Sequence, residues 1–185
     1  MLYLGRLDHQ KGIERLLGCV RLLRATGTRV QWRMIGGEII DAGQSSNWTE
    51  KLRAERVQVD KPLYAADALA QAMSEADVLV LPSRWEGVPL VILEAQRLGC
   101  VPVATEVGAV REVVSHGVDG MLVPDGADAI VAEALATTLR MLADDRARLM
   151  QIAERGARRA GTLNWHSSAA PFLAVLRDWF PPAEG

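Results

Sequence analysis

Apolar positions along this chain change period several times. Between Met1 and Leu4, between Val30 and Ile35 and in Val78-Leu79-Val80-Leu81 they form short, nearly continuous blocks. Ile13, Leu16, Leu17, Val20 and Leu23 instead recur at the spacing of one helix face. The blocks predict strands over Met1–Leu4, Val30–Ile35, Val57–Val59, Val78–Leu81, Val101–Ala104 and Met121–Val123. The helical spacing predicts helices over Ile13–Leu23, Ala65–Glu75, Pro89–Leu98 and Ala109–His116. Gly5, Gly36-Gly37 and Pro82 stop strands; Pro89 and Gly99 bracket a helix in the order that a missing N–H and a left-handed cap favour. From Asp128 onward only helical spacing remains, over Ala129–Leu142, Asp145–Ala160 and a stretch near Trp165–Phe180.

A run such as Val78–Leu81 has no polar face, so it needs cover on both sides of its sheet. Alternation of such strands with helices predicts an α/β fold: a Rossmann-like, doubly wound parallel sheet of about six strands with extra C-terminal helices. Residues 1–185 read as a single domain. The first strand begins at Met1 itself, which sets the expectation that the fold starts abruptly or that a preceding part is missing.

Composition narrows the options further. Hydrophobic residues make up 49% and charged residues 24%, a balance that supports a packed core rather than disorder. The formal net charge of −2 gives no general attraction for nucleic acid or acidic lipid, so phosphate binding has to be local. Cys19 and Cys100 stand far apart outside any Cys-x-x-Cys pair, as expected of two buried thiols in a reducing compartment. No apolar run approaches the roughly 20 residues of a membrane span, and no basic segment leads into an apolar one at the start. The expected location is the cytoplasm.

Open α/β sheets bind ligands at the carboxyl ends of their strands, and three loops there carry chemistry. Gly5-Arg6-Leu7-Asp8-His9-Gln10-Lys11-Gly12 sets two cations before a helix N-terminus, whose free N–H groups favour an anion. Both cations also suit a solvated loop. Pro82-Ser83-Arg84-Trp85-Glu86-Gly87-Val88 leads into the helix at Pro89, where the Val88, Leu90 and Val91 amides lack intrahelical acceptors. Seven uncharged residues separate Glu86 from Glu94. Glu94 either pairs with Arg97 in solvent or faces a cleft where a ligand hydroxyl satisfies it. Asp60-Lys61-Pro62-Leu63-Tyr64 is an ordinary turn or the border of a flat base.

Other features point away from chemistry. His9, His116 and His166 are widely separated, so no metal cluster or triad is visible, and neither dinucleotide nor P-loop glycine motif occurs. Asp144-Asp145 reads as a solvated pair or a cap. Trp165, Phe172 and Trp179, seven apart, read as core or an interdomain seam.

Taken in order, Gly5-Arg6-Leu7 with Lys11-Gly12, Pro82-Ser83 with Glu86-Gly87-Val88-Pro89-Leu90 and Glu94-Ala95, Ala104-Thr105 with Gly108 and Glu112, and Gly117 with Gly120-Met121-Leu122-Val123 form one pattern. It resembles the C-terminal, donor-binding half of group 1 (family four) retaining glycosyltransferases of the GT-B fold. Asn164-Trp165 is similar to that family's C-terminal signature. The resemblance implies transfer of a sugar from a UDP- or GDP-type nucleotide-sugar donor to an acceptor such as a growing glycan or lipid-linked saccharide. A stand-alone nucleotide-sugar-binding module is the alternative.

Its implied catalytic residues are Arg6, Lys11 and Glu86: the two cations neutralise the donor diphosphate, and Glu86 contacts donor-sugar hydroxyls. Gly87, Val88, Pro89 and Leu90 bring backbone to sugar and phosphate, with Gly5 beside Arg6. Glu94 binds ribose, and Leu63 and Tyr64 lie near the base. Pro62 and Gly108-Ala109 depart from the family's usual glycines. The resemblance implies no metal and no cofactor beyond the donor. It also implies an N-terminal GT-B domain as partner in cis or trans, with little or no transfer without it. It leaves room for peripheral membrane association through that other half.

Overall fold

A computed structural model shows how these segments assemble. It describes residues 1–38 and 47–163, with isolated positions beyond (169, 170, 173–175 and 179). In chain order the elements are β1 (Leu2–Leu4), α1 (Ile13–Ala25), β2 (Arg33–Ile35), α2 (Trp48–Ala54), β3 (Gln58–Asp60), α3 (Ala66–Ser74), β4 (Val78–Leu81) and α4 (Leu90–Arg97). Then follow β5 (Val101–Thr105), α5 (Val110–Val113), β6 (Met121–Val123), α6 (Asp128–Asp144) and α7 (Arg146–Thr162). The strands form one sheet in the order β3-β2-β1-β4-β5-β6, with every pairing parallel. The order reverses beside β1 and β4, which opens a crevice between the loops that follow these two strands.

The uninterrupted apolar strands explain the two cores. Val78 and Val80 turn to one face with Leu16, Val20 and Leu135, whereas Leu79 and Leu81 turn to the other with Ile92 and Ala95. Period-two alternation thus sends neighbouring residues of β4 into different clusters, and both exclude water. Each fully buried leucine contributes about 1.5–3 kcal/mol. Helix α7 serves both cores: Leu149 and Ile152 join the α1–α6 side, while Gly156 lies against Gln96 of α4.

Several expectations need correction. The strand predicted over Val30–Ile35 is confined to Arg33–Ile35, because β1 offers only Leu2–Leu4 as partners. Helix α2 was not predicted; of its residues only Leu52 is fully buried, so it carries no apolar stripe to read. The Ala109–His116 helix shortens to Val110–Val113, since His116 bridges Gly120 and its Nδ1 accepts from the Leu122 N–H at 3.0 Å. Pro89 caps α4 from outside its first turn. Asp145 is a cap, accepting from the Arg148 N–H at 2.9 Å. Cys19 and Cys100 are buried free thiols that burial pushes up to about 12. Within the final helix expected near Trp165–Phe180 the described positions 169, 170, 173–175 and 179 are helical, with Trp179 exposed, and the Asn164-Trp165 signature lies outside the described residues. Among the described residues no helix is long and apolar enough to cross a membrane.

One charge pair ties the amino end of β4 to the α6–α7 corner. Arg146 donates to Asp77 Oδ1 at 2.6 Å, and this hydrogen bond holds the Asp77 carboxyl below its ordinary value of 3.8. A depressed carboxyl contributes stability above that value and loses it as pH falls through the lower one. The pair is half exposed, so Asp77→Asn should lower the melting temperature at pH 7 by only about 1–3 °C. The difference from the wild type should shrink as pH falls below 3.8 and vanish once the lowered Asp77 value is passed.

Candidate functional site

The site is built where the turns after β1 and β4 cross. Burial, and then the nearby Asp8 and Glu86 charges, push the Tyr3 phenol well above its usual range, so it stays protonated and donates to the Arg6 carbonyl. Asp8 Oδ1 accepts from the Lys11 N–H at 2.8 Å, and its other oxygen meets Arg6 Nε at 3.1 Å. These contacts fold the β1–α1 turn back on itself. Gly12 then enters α1 at φ 70°, where a Cβ would stand 2.0 Å from the Pro82 carbonyl oxygen. Only glycine permits that crossing.

The second turn is laced onto the first. The Arg84 N–H donates to the Gln10 carbonyl at 2.9 Å, and Arg84 Nε to the His9 carbonyl at 2.9 Å. Ser83 Oγ donates to Glu86 Oε1 at 2.6 Å, and Lys11 Nζ reaches the same oxygen at 2.8 Å. Glu86 is only 9% exposed. Buried charge is tolerated when it is paired and hydrogen-bonded, and both conditions hold here. The loop after β5 closes the back: Gly108, at φ 53°, lies where a Cβ would be 1.8 Å from the Glu86 carbonyl oxygen.

The structure therefore joins Lys11 directly to Glu86. Ser83 and Lys11 hold its carboxylate inward, in the turn after β4 at the carboxyl edge of the sheet. Arg6 lies apart from that pair. Its guanidinium meets Asp8 and Gln10, and it lines a cleft of about 420 Å³ with Gly5, Gly37, Leu63 and Tyr64. Leu63 and Tyr64 are thus brought to Arg6 from the turn after β3, with the Tyr64 ring 90% exposed. Gly87, Val88 and Leu90 are exposed on the approach to α4, while Pro89 is buried.

Glu94 is exposed one turn beyond Leu90, on the same face of α4, and it makes no hydrogen bond or ion pair. The expected alternative of a solvent pair with Arg97 is not formed. A larger hollow of about 740 Å³ opens at the opposite, amino edge of the sheet. It contains the Asp77–Arg146 pair and none of the residues singled out in the sequence.

Sequence reasoning missed three members of this constellation. Ser83 carries a local signal, since a serine three residues before a glutamate lets the two side chains meet. Arg15 and Asp128, which brace the Pro82-Ser83 backbone and Arg84, carry none, because they meet only through the tertiary fold.

A six-stranded parallel sheet flanked by helices, with cations and a paired glutamate at its switch point, defines a Rossmann-like α/β domain. Residues 1–144 match the family model described as "Glycosyl transferases group 1". The chain belongs to that family. It is 34% identical over 175 residues to a D-inositol 3-phosphate glycosyltransferase of Pseudarthrobacter chlorophenolicus, covering 92% of this chain and 40% of that protein. Among solved structures it resembles sucrose-phosphate synthase from Thermosynechococcus elongatus, with TM-score 0.77 and 27% identity over 97% of this chain and 45% of the other. An Anabaena protein, HepE, solved with UDP and glucose, shares the fold at TM-score 0.73 and 21% identity, covering 95% of this chain and 48% of that one. The chain thus spans less than half the length of these relatives. Its sheet is the Rossmann-like half of a GT-B fold.

The close crossing at Gly12 makes a direct test of this geometry. Gly12→Ala should destabilise the protein by about 2–4 kcal/mol, from positive-φ strain together with displacement of the Pro82 carbonyl. Gly27→Ala provides the comparison: it has a similar φ of 71° but open space around it. Denaturant titration should show the smaller loss there, and equal losses would mean that the crossing is not tight.

Proposed function

We propose that this chain is the donor-binding half of a retaining glycosyltransferase that takes a hexose from a UDP- or GDP-type donor. The acceptor would be a growing glycan or a lipid-linked saccharide. The observation that carries this reading is the Lys11–Glu86 pair at 2.8 Å, which joins the turn carrying Arg6 to the turn that leads into α4. The family membership supports the transferase class.

An arriving diphosphate competes with Glu86 for Lys11. Once Lys11 turns to the phosphate, the Glu86 carboxylate is left with the Ser83 hydroxyl and has capacity for a sugar hydroxyl. Arg6 and the first-turn amides of α4 add donors for the phosphate oxygens. Glu94, unpartnered on the same face as Leu90, suits the ribose hydroxyls, and the Leu63–Tyr64 cleft suits the base. The HepE complex with UDP and glucose makes UDP-type donors the first to try.

As the donor bond breaks, negative charge grows on the leaving diphosphate and the sugar becomes cationic. Preplaced cations stabilise the former, at about 10²–10³ in rate per good contact. In this reading Arg6, Lys11 and the helix amides meet that charge without a metal. A second domain, in cis or trans, supplies the acceptor and excludes water. The 185-residue chain alone then binds donor and transfers little sugar.

Calorimetric titration with UDP, GDP, ADP and their sugars tests this reading. Lys11→Ala should weaken nucleoside diphosphate binding about ten- to a hundredfold, less at high salt. Glu94→Ala should weaken the nucleoside itself. Glu86→Ala should preserve or strengthen diphosphate affinity, because Lys11 loses a competitor, while abolishing any preference for the sugar-bearing form. If the three variants lose affinity for the free diphosphate alike, the assignment of roles is wrong.

A further inference from the structure

We propose that Arg15 is a positioning residue of the donor site, aiming Ser83 and Glu86 from beneath; this rests on the donor-site reading above. Arg15 lies in the first turn of α1 and is 2% exposed. Its Nε donates to Asp128 Oδ1 at 3.0 Å. One terminal nitrogen donates to the Pro82 and Ser83 carbonyls at 3.4 and 3.3 Å, and the other donates to the Gly126 carbonyl at 2.9 Å and forms an ion pair with Asp125 Oδ1 at 2.8 Å. A guanidinium has donors on Nε and on both terminal nitrogens, and here all three nitrogens are engaged, in four hydrogen bonds and the Asp125 ion pair.

Those acceptors come from two loops at the carboxyl edge, the turn after β4 and the turn between β6 and α6. Asp128, which opens α6, uses its other oxygen for Arg84 at 2.6 Å, and Arg84 binds the His9 carbonyl in the turn after β1. Arg15 and Asp128 therefore clamp together the three turns beneath the Lys11–Glu86 pair. Ser83 is the junction: its carbonyl is held by Arg15, and its hydroxyl holds Glu86.

Core stability gives no reason for this arginine. Helices α1 and α6 already meet through Leu16, Val20, Leu135 and Leu139, and an apolar residue in place of a buried charge network is often neutral or stabilising. What the apolar residue lacks is direction. Two of the four hydrogen bonds of this planar fork hold the Pro82 and Ser83 carbonyls, where a hydrophobic contact would let the peptide slide. The network thus sets the donor-sugar contact rather than the fold.

The test compares wild type, Arg15→Met, Arg15→Lys and Asp128→Asn by titration with UDP and UDP-glucose, and with GDP and GDP-mannose, following circular dichroism in parallel. The quantity read is the ratio of sugar-nucleotide to diphosphate affinity, which a general loss of stability does not move. Arg15→Met and Asp128→Asn should shrink that ratio about three- to tenfold while diphosphate affinity changes less. Arg15→Lys should rescue only part, since an ammonium has three donors and no planar fork for the four acceptors that Arg15 binds.

A wild-type ratio above one, left unchanged in folded Arg15→Met, overturns the inference and leaves the donor-site reading standing. Should Arg15→Met not fold, Asp128→Asn decides in the same way, its side chain being 40% exposed. Full rescue by Arg15→Lys overturns the directional role. Failure of the wild type to bind any of the four compounds overturns the donor-site reading, and this inference with it.

Discussion

One carboxylate oxygen, Oε1 of Glu86, takes hydrogen bonds from a hydroxyl on its own turn and from an ammonium on another, and the site is organised around it. The oxygen is nearly buried, so losing either donor would strand charge away from water. That cost is what locks the turn after β4 onto the turn after β1. The same arrangement makes the site responsive. In the proposed donor site a phosphate competes with Glu86 for Lys11, and Glu86 keeps the serine when the lysine leaves.

Backbone proximity is the second constraint. Gly12 against the Pro82 carbonyl, Gly36 against the Gly5 carbonyl and Gly108 against the Glu86 carbonyl bring main chains closer than any side chain would allow. The turns at this edge are therefore stacked on one another directly. Their rigidity explains how short strands of three to five residues present functional groups at fixed distances.

The opposite edge of the sheet shows the contrast. It has the larger hollow and a half-exposed ion pair, Asp77 with Arg146, and none of the residues that meet at the Lys11–Glu86 crossing lines it. Size of a cavity says little about chemistry. The sheet's switch point and the direction of its helices place the free amides and unpartnered acid at the carboxyl edge.

The sequence by itself determined the layered fold, because strand blocks without a polar face can be satisfied only between two helix layers. It also marked Arg6, Lys11, Glu86 and Glu94, through the resemblance of their whole pattern to one family, since the charges taken singly suited a solvated surface as well. Helix α2 stayed hidden because a single buried leucine leaves no periodicity, and the short β2 because its length is set by its neighbour. The structure alone decided that Lys11 and Glu86 touch while Arg6 stands with Leu63 and Tyr64, and that Arg15 is buried beneath them. Contacts spanning 75 residues, as between Lys11 and Glu86, or 113, as between Arg15 and Asp128, leave no local trace. They arise from the order in which parallel strands are laid side by side, and that order is a property of the packed chain.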